Sequence, residues 1–369
     1  MRSLIALVLA GLAACAPKPY YQAAPIPPLL PADQGAASMA VEFAKISIKQ
    51  LREYVDALVL CGSPVPSDWA EARNRLDVMH PFHVFKEDPQ LIAGLRRGEE
   101  PARRELARRG GLLRAMLTFS GKHDRLKWDE ARKTLMAGGE AGEALLCTVL
   151  MQMLIDGAAR DNWEHLRTQV VETGKPALET AIALAREIAK TIPAETAVFP
   201  HDDLTQLFLV LIEFGDAGRG AVEEFSKHEK PNVRRCMAES IGEARDDLMA
   251  TTLAQYLSTD PSWIVRAAAA EACRRMGPSK RLLGPLLTAR VGKEKEGYVL
   301  RRVLRAIGDI GWAEGVPALI AALESPSLET AESAMAALYV LTGERFLKRE
   351  KWEQWYRTSY PGWKAKQAR

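Results

Sequence analysis

One pattern returns through the second half of the chain and narrows the folds open to it: a valine-led helical stripe that recurs every 30–34 residues. Val233-Arg234, Val265-Arg266 and Val299-Leu300 open three copies, and Ile241, Cys273 and Ile307 stand eight residues on, each facing the same way. Thr330 opens a fourth copy with Leu338 and Leu341 at the matching places, and Asp203 opens a weaker one with Leu207, Val210, Leu211 and Phe214 on its stripe. Successive offsets are 30, 32, 34 and 31 residues. Self-similarity at that period is the signature of stacked supersecondary units that bury a continuous core only together. Partner helices are expected near 220–229, 248–258, 281–291 and 316–324. Gly215, Gly277 and Gly311 fall at matching helix ends, where a left-handed cap suits glycine.

The first half is also helical, without the clear period. No convincing alternating strand appears. Val41, Ala44, Ile48, Leu51, Val55 and Leu58 follow three- and four-residue steps, the stripe of a long amphipathic helix with Ser38 as N-cap and Gly62 as stop. Further helices are expected near 67–79, 100–119, 127–137, 141–156, 160–173 and 176–191. Gly174-Lys-Pro-Ala-Leu178 echoes Gly315-Val-Pro-Ala-Leu319 and hints at a degenerate extension of the repeats upstream.

NVRRCMAESIG (232–242), WIVRAAAAEACRRMG (263–277) and EGVPALIAALESPS (314–327) carry a family resemblance. These segments resemble HEAT-like helical repeats, and the resemblance covers about residues 200–343. It implies an all-α, right-handed helical-repeat solenoid, with an irregular helical portion ahead of it. Asp260, six residues before Arg266, resembles the family's Asp–Arg pairing that ties adjoining repeats. His228, Glu294 and Ser325 occupy the aspartate place elsewhere, and Leu300 and Ala331 replace the arginine, so an uninterrupted ladder is not expected. After the last copy, Trp352 and Trp355 stand three residues apart on one short helix. A terminal repeat exposes an apolar face, and these indoles are read as its cover.

The chain begins MRSLIALVLAGLAAC. Arg2 supplies a positive start, Leu4 to Leu9 a short apolar run, and Leu12-Ala13-Ala14-Cys15 resembles a bacterial lipobox. That resemblance implies cleavage before Cys15 and acylation of its thiol. Acyl chains contribute about 0.8 kcal/mol per buried CH₂, so two or three of them hold a folded domain at a membrane. Ala16 stands where an aspartate would mark inner-membrane retention, which favours the outer membrane. Six prolines crowd residues 16–37. A tether of that composition spans about 3.1 Å per residue when fully extended, or roughly 60–70 Å. The expected organisation is a signal peptide over 1–14, the lipidated Cys15 and tether over 15–37, irregular helices over 38–197, repeats over 198–345 and an aromatic cap and tail over 346–369.

Catalytic motifs are absent: there is no P-loop, GxGxxG, GxSxG or HExxH. His80 and His83 flank Pro81, which breaks the helix that would align them on a metal. His201-Asp202-Asp203 reads as an acidic helix start rather than an acid–base cluster. No catalytic residue, metal or cofactor is expected. Beyond Cys15 there are four cysteines, Cys61, Cys147, Cys236 and Cys273. Cys147 and Cys273 look like small apolar core residues, and a Cys236–Cys273 bridge is open but not favoured. Fifty basic against forty-seven acidic residues give a net charge of +3, too balanced for a chain devoted to nucleic acid. Arg96, Arg97, Arg103, Arg104, Arg108 and Arg109 interleave with Glu99, Glu100 and Glu105, which favours local ion pairs over a polyanion patch.

Three functions remain open. The leading one is a lipid-anchored scaffold for an unidentified envelope protein, on a monomeric chain. The others are an envelope enzyme and a small-ligand-binding lipoprotein, with the site in the N-terminal helices. Positions two and six after each opening valine point away from the buried stripe. Arg235, Glu239, Glu271, Arg301 and Arg305 are therefore the candidate partner-binding residues, with Ala267 at the sixth such position.

Overall fold

Helices alone build the described residues, which in this computed structural model are 48–79, 89–119, 124–156, 162–196 and 202–367. The signal peptide, Cys15, the tether and the Ser38 cap lie outside them, as do His80, His83 and His201. The chain divides into two compact units, Met1–Glu187 and Ile188–Arg369.

The first unit holds α1 (Ile48–Leu60), α2 (Pro66–Met79), α3 (Pro89–Arg96), α4 (Glu100–Thr118), α5 (Arg125–Ala137), α6 (Glu140–Asp156), α7 (Trp163–Thr173) and most of α8 (Lys175–Thr191). α1 packs on α2 and α4, and α4 passes the core on to α5 and α6. Gly110 makes the α1–α4 crossing close, since a Cβ there would lie 2.7 Å from Leu58 Cβ and 2.9 Å from Val59 N. Trp128 on α5 is buried between Phe119 and His165, with ring centroids 5.2 and 5.7 Å away. The arginine run behaves as its interleaved acids predict. Arg97 pairs with Glu99, Arg104 with Glu100, Arg108 and Arg109 with Glu105, and the Arg103 guanidinium lies over the Trp69 ring.

In the second unit the repeats appear as two rows. The valine-led helices form one row: α9 (Asp202–Glu213), α11 (Pro231–Ala244), α13 (Trp263–Cys273), α15 (Gly297–Asp309) and α17 (Leu328–Thr342), each packed on the next. Their partners form the other: α10 (Arg219–Ser226), α12 (Ala250–Thr259), α14 (Lys280–Val291) and α16 (Val316–Ala322). This is an all-α helical-repeat solenoid. Val233, Met237, Ser240 and Ile241 are fully buried on α11, as are Val299, Val303, Ala306 and Ile307 on α15. Small residues set the spacing in the first row. A Cβ on Gly242 would lie 2.6 Å from Ala272 Cα, and one on Gly308 would lie 2.9 Å from Ala337 Cα. Gly215 and Gly311 take positive φ at their helix ends, but Gly277 does not, and there a 3₁₀ turn over Gly277–Ser279 joins α13 to α14. The left-handed place after α11 is held by Arg245 (φ 54°), whose N–H donates to Ile241 O.

Two ion pairs tie consecutive loops. Arg234 donates from Nε and Nη2 to Asp260 at 2.7 and 2.9 Å, and from Nη1 to the carbonyls of His228 and Glu229. One unit on, Arg266 donates to Glu294 at 2.9 and 3.0 Å, and to the carbonyls of Asp260 and Pro261. The expected Asp260–Arg266 carboxylate pair is thus replaced. Arg266 meets only the backbone of its own loop, and the carboxylate beside it comes from the following loop. Glu294 serves in the aspartate place and also accepts from Arg290 at 2.8 Å and from the N–H groups of Lys295 and Glu296. The ladder has these two rungs and ends where Leu300 and Ala331 stand in place of arginine.

The chain closes with α18 (Arg349–Thr358) and α19 (Tyr360–Gln367), seated through α18 on α16. Trp352 is fully buried and donates from Nε1 to Phe346 O at 2.9 Å, and Trp355 packs beside it at 5.9 Å. Tyr360 OH donates to Ala313 O at 3.0 Å. The indoles are core, as their spacing suggested.

Candidate partner-binding surface

α11, α13, α15 and α17 lie side by side, so residues at equivalent turns form rows across them. On α11, Arg235 Nε meets Glu239 Oε1 at 2.9 Å, and both side chains are largely covered. On α13, Ala267 is buried, which departs from the outward direction expected of it. Ile264, Val265, Ala267 to Ala270, Ala272 and Cys273 are all buried there, because α13 packs against both α11 and α15 and its short side chains let both come close. Glu271 is the polar position left to that helix. It accepts from Arg274 Nη1 at 2.5 Å and from Arg302 Nη1 on α15 at 2.6 Å. Arg274 continues to Asp309, and that hydrogen bond holds its guanidinium pKa above the ordinary value. Arg301 Nη1 reaches Glu329 Oε2 on α17 at 2.7 Å. Arg305, one turn along, is exposed and forms no ion pair among the described residues.

The sequence therefore names five polar residues on this surface and misses four that pair around Glu271 and Arg301: Arg274, Arg302, Asp309 and Glu329. Arg302 sits three places after Val299, where only the neighbouring helix decides whether a side chain is inside or out. Aromatic rings flank the charges. Tyr298 is 45% exposed, sits edge-on to Trp263 at 5.8 Å, and lies under the Arg302 guanidinium at 4.6 Å. Arg235 pairs with Glu239 along α11, and Glu271, Arg301 and their partners bridge α13, α15 and α17. Chemically this is a mixed-charge surface whose Arg305 has no ion-pair partner among the described residues, suited to hydrogen bonding and ion pairing with a protein.

Elsewhere the reactive groups are enclosed. Cys61, Cys147, Cys236 and Cys273 are free thiols and buried, so no Cys236–Cys273 bridge is present. Burial pushes Cys61 and Cys147 up to about 11 and Cys273 up to about 12, the opposite of a reactive thiolate. No group of three His, Cys, Asp or Glu side chains suited to a metal occurs among the described residues. A shallow, open depression of about 710 Å³ lies on the closing helices, lined by Tyr356, Arg357, Tyr360, Pro361, Lys364 and Ala365. No described helix is long and apolar enough to cross a membrane.

No curated protein matches the chain. Among solved structures it is similar to the crystal structure of Kap121p, at 10% identity and a TM-score of 0.37, over 97% of this chain and 47% of that one. The chain thus spans about half the length of Kap121p. Within the second unit, residues 209–274 match the HEAT repeats family model and residues 299–325 match that of the PBS lyase HEAT-like repeat.

Proposed function

We propose that this protein is a lipid-anchored scaffold of the bacterial envelope that holds a protein partner on its repeat surface. The observation that carries the reading is the row of polar side chains presented by α13, α15 and α17 above a buried, mostly apolar stripe. A rigid array of stacked helices with a continuous polar face is suited to gripping another protein. The lipobox-like start, with Cys15 as the acylated residue, supports anchoring at the outer membrane facing the periplasm. No nucleic acid is part of this function.

Two experiments test it. Cys15→Ala is expected to move the mature protein out of the membrane fraction while its melting temperature stays unchanged, because thirty-two residues separate Cys15 from the first described helix. Full membrane retention of that variant after a high-salt wash overturns the anchor. In the second, Arg301→Glu with Arg305→Glu is expected to weaken capture of partners crosslinked in living cells. Surface changes of this kind usually move stability by about 0.5 kcal/mol or less, and the lost Arg301–Glu329 pair adds a similar amount. Capture that survives the double reversal at physiological salt places the interaction elsewhere on the chain.

A further inference from the structure

Among the described residues, the first row of helices ends without a further helix beyond α17. Thr330, Ser333, Ala334, Ala337 and Leu338 of α17 are buried toward the preceding helices. The opposite stripe is Leu328, Glu332, Met335 and Tyr339, spaced 4, 3 and 4 residues apart, so they share one helix face. The closing helices seat on α16 and leave this face open. Leu328 is 72% exposed, Tyr339 40% and the flanking Val340 56%. Three large apolar residues in the open on one fifteen-residue helix, with Met335 half-buried between them, are more than scattered surface leucines.

The charges on this face are arranged to complement themselves. Glu332, near the start of the stripe, is exposed and forms no ion pair among the described residues. Arg345, just past its end, lies over the Tyr339 ring at 4.4 Å and donates to the Tyr339 hydroxyl at 2.6 Å, with no carboxylate partner among the described residues. An acid at one end and a base at the other form a pattern that two antiparallel copies satisfy twice.

We propose that α17 is the interface with a second copy of this chain, the two helices lying antiparallel about a two-fold axis near Met335. In that register Glu332 of each copy faces Tyr339 and Arg345 of the other, and Leu328 covers the end of the opposing helix. An isologous contact of this kind uses one self-complementary patch and closes on itself. The dimer departs from the monomer expected of the sequence and is independent of the envelope scaffold reading.

The test is sedimentation velocity on the full-length chain over a range of concentrations. The wild-type chain is expected to show a concentration-dependent monomer–dimer equilibrium. Glu332→Arg and Arg345→Glu should each raise the dimer dissociation constant about tenfold or more, since each places like charges opposite one another twice. An equimolar mixture of the two variants should recover dimer, because the mixed pair is attractive at both contacts. Ala336→Arg, at an exposed position beside the axis, brings two cations together and should also dissociate the dimer. A wild-type chain that stays monomeric up to about 100 μM, far above the Kd of a specific interface, overturns the proposal. So does a dimer that is indifferent to these substitutions, or a mixture no tighter than its components.

Discussion

Trp352→Ala is expected to cost about 3–5 kcal/mol, among the largest losses any single substitution in this protein would bring. The indole is fully buried, touches Phe346 and Trp355 edge-on, and satisfies its N–H on Phe346 O. Alanine leaves a cavity between α18 and α16 and removes that donor. In a stacked array each unit leans on its neighbours, so the loss should begin at the last repeat and propagate inward. Chemical denaturation should show an early transition, and limited proteolysis should open new sites after Trp312 before any appear in α11 or α13. Trp355→Ala should act in the same direction. Unchanged melting and protease resistance in both variants would show that the aromatics do not close the array.

The second large effect belongs to Glu294. Its side chain is almost wholly covered and neutralises Arg266 and Arg290 together. Glu294→Ala strands the Arg266 guanidinium, and breaking such a pair from one side costs about 3–5 kcal/mol. Arg266→Met combined with Glu294→Leu should recover much of that, since an apolar pair leaves no buried charge behind. A double-mutant cycle read by denaturant midpoint checks this, and additive losses would refute the coupling. Acid should find the same joint. Burial alone would raise the Glu294 carboxyl, but the hydrogen bonds from Arg266, the Glu296 N–H and Arg290 outweigh it and hold the pKa at about 2. The unfolded chain protonates this group near 4.3, so its contribution is complete above that pH and is lost as pH falls towards about 2. Glu294→Ala should therefore narrow its stability gap from the parent protein between those two values.

The repeat period made the second unit legible before any coordinates, because a stripe of valines and isoleucines at 30–34-residue intervals has few other uses. The closing tryptophans were legible for a similar reason, since large indoles seldom stand bare. What escaped the sequence depends on the next helix rather than on the helix itself. Ala267 and Glu271 occupy comparable outward turns of α13, yet only Glu271 reaches solvent, because Ala267 is small enough for its neighbours to close over. The family resemblance matches Asp260 to Arg266, whereas the rung that ties the adjoining units runs from Arg234 to Asp260. Lys230 gives no hint in the sequence that its ammonium donates to the carbonyls of Ala189, Lys190 and Ile192 at the end of α8. Of the candidate surface, spacing supplied Arg235, Glu239, Glu271, Arg301 and Arg305. The wiring between them required knowing which helices touch.

The crossings at Gly242 and Gly308 have a mechanical consequence. Backbone rests on backbone there, with an alanine as the only side chain, so no rotamer can exchange to relieve a strain. The row of α11, α13, α15 and α17 is therefore least compliant at those two joints. In the second row, by contrast, α12, α14 and α16 bury Leu253, Leu257, Leu283, Leu287 and Leu319, and a Trp312 ring lies against Gly284; these longer side chains have rotamers to change. A load on this unit is expected to shear the second row before it changes the α11–α13 and α15–α17 spacings of the first. Side chains carried across those joints keep their spacing under tension.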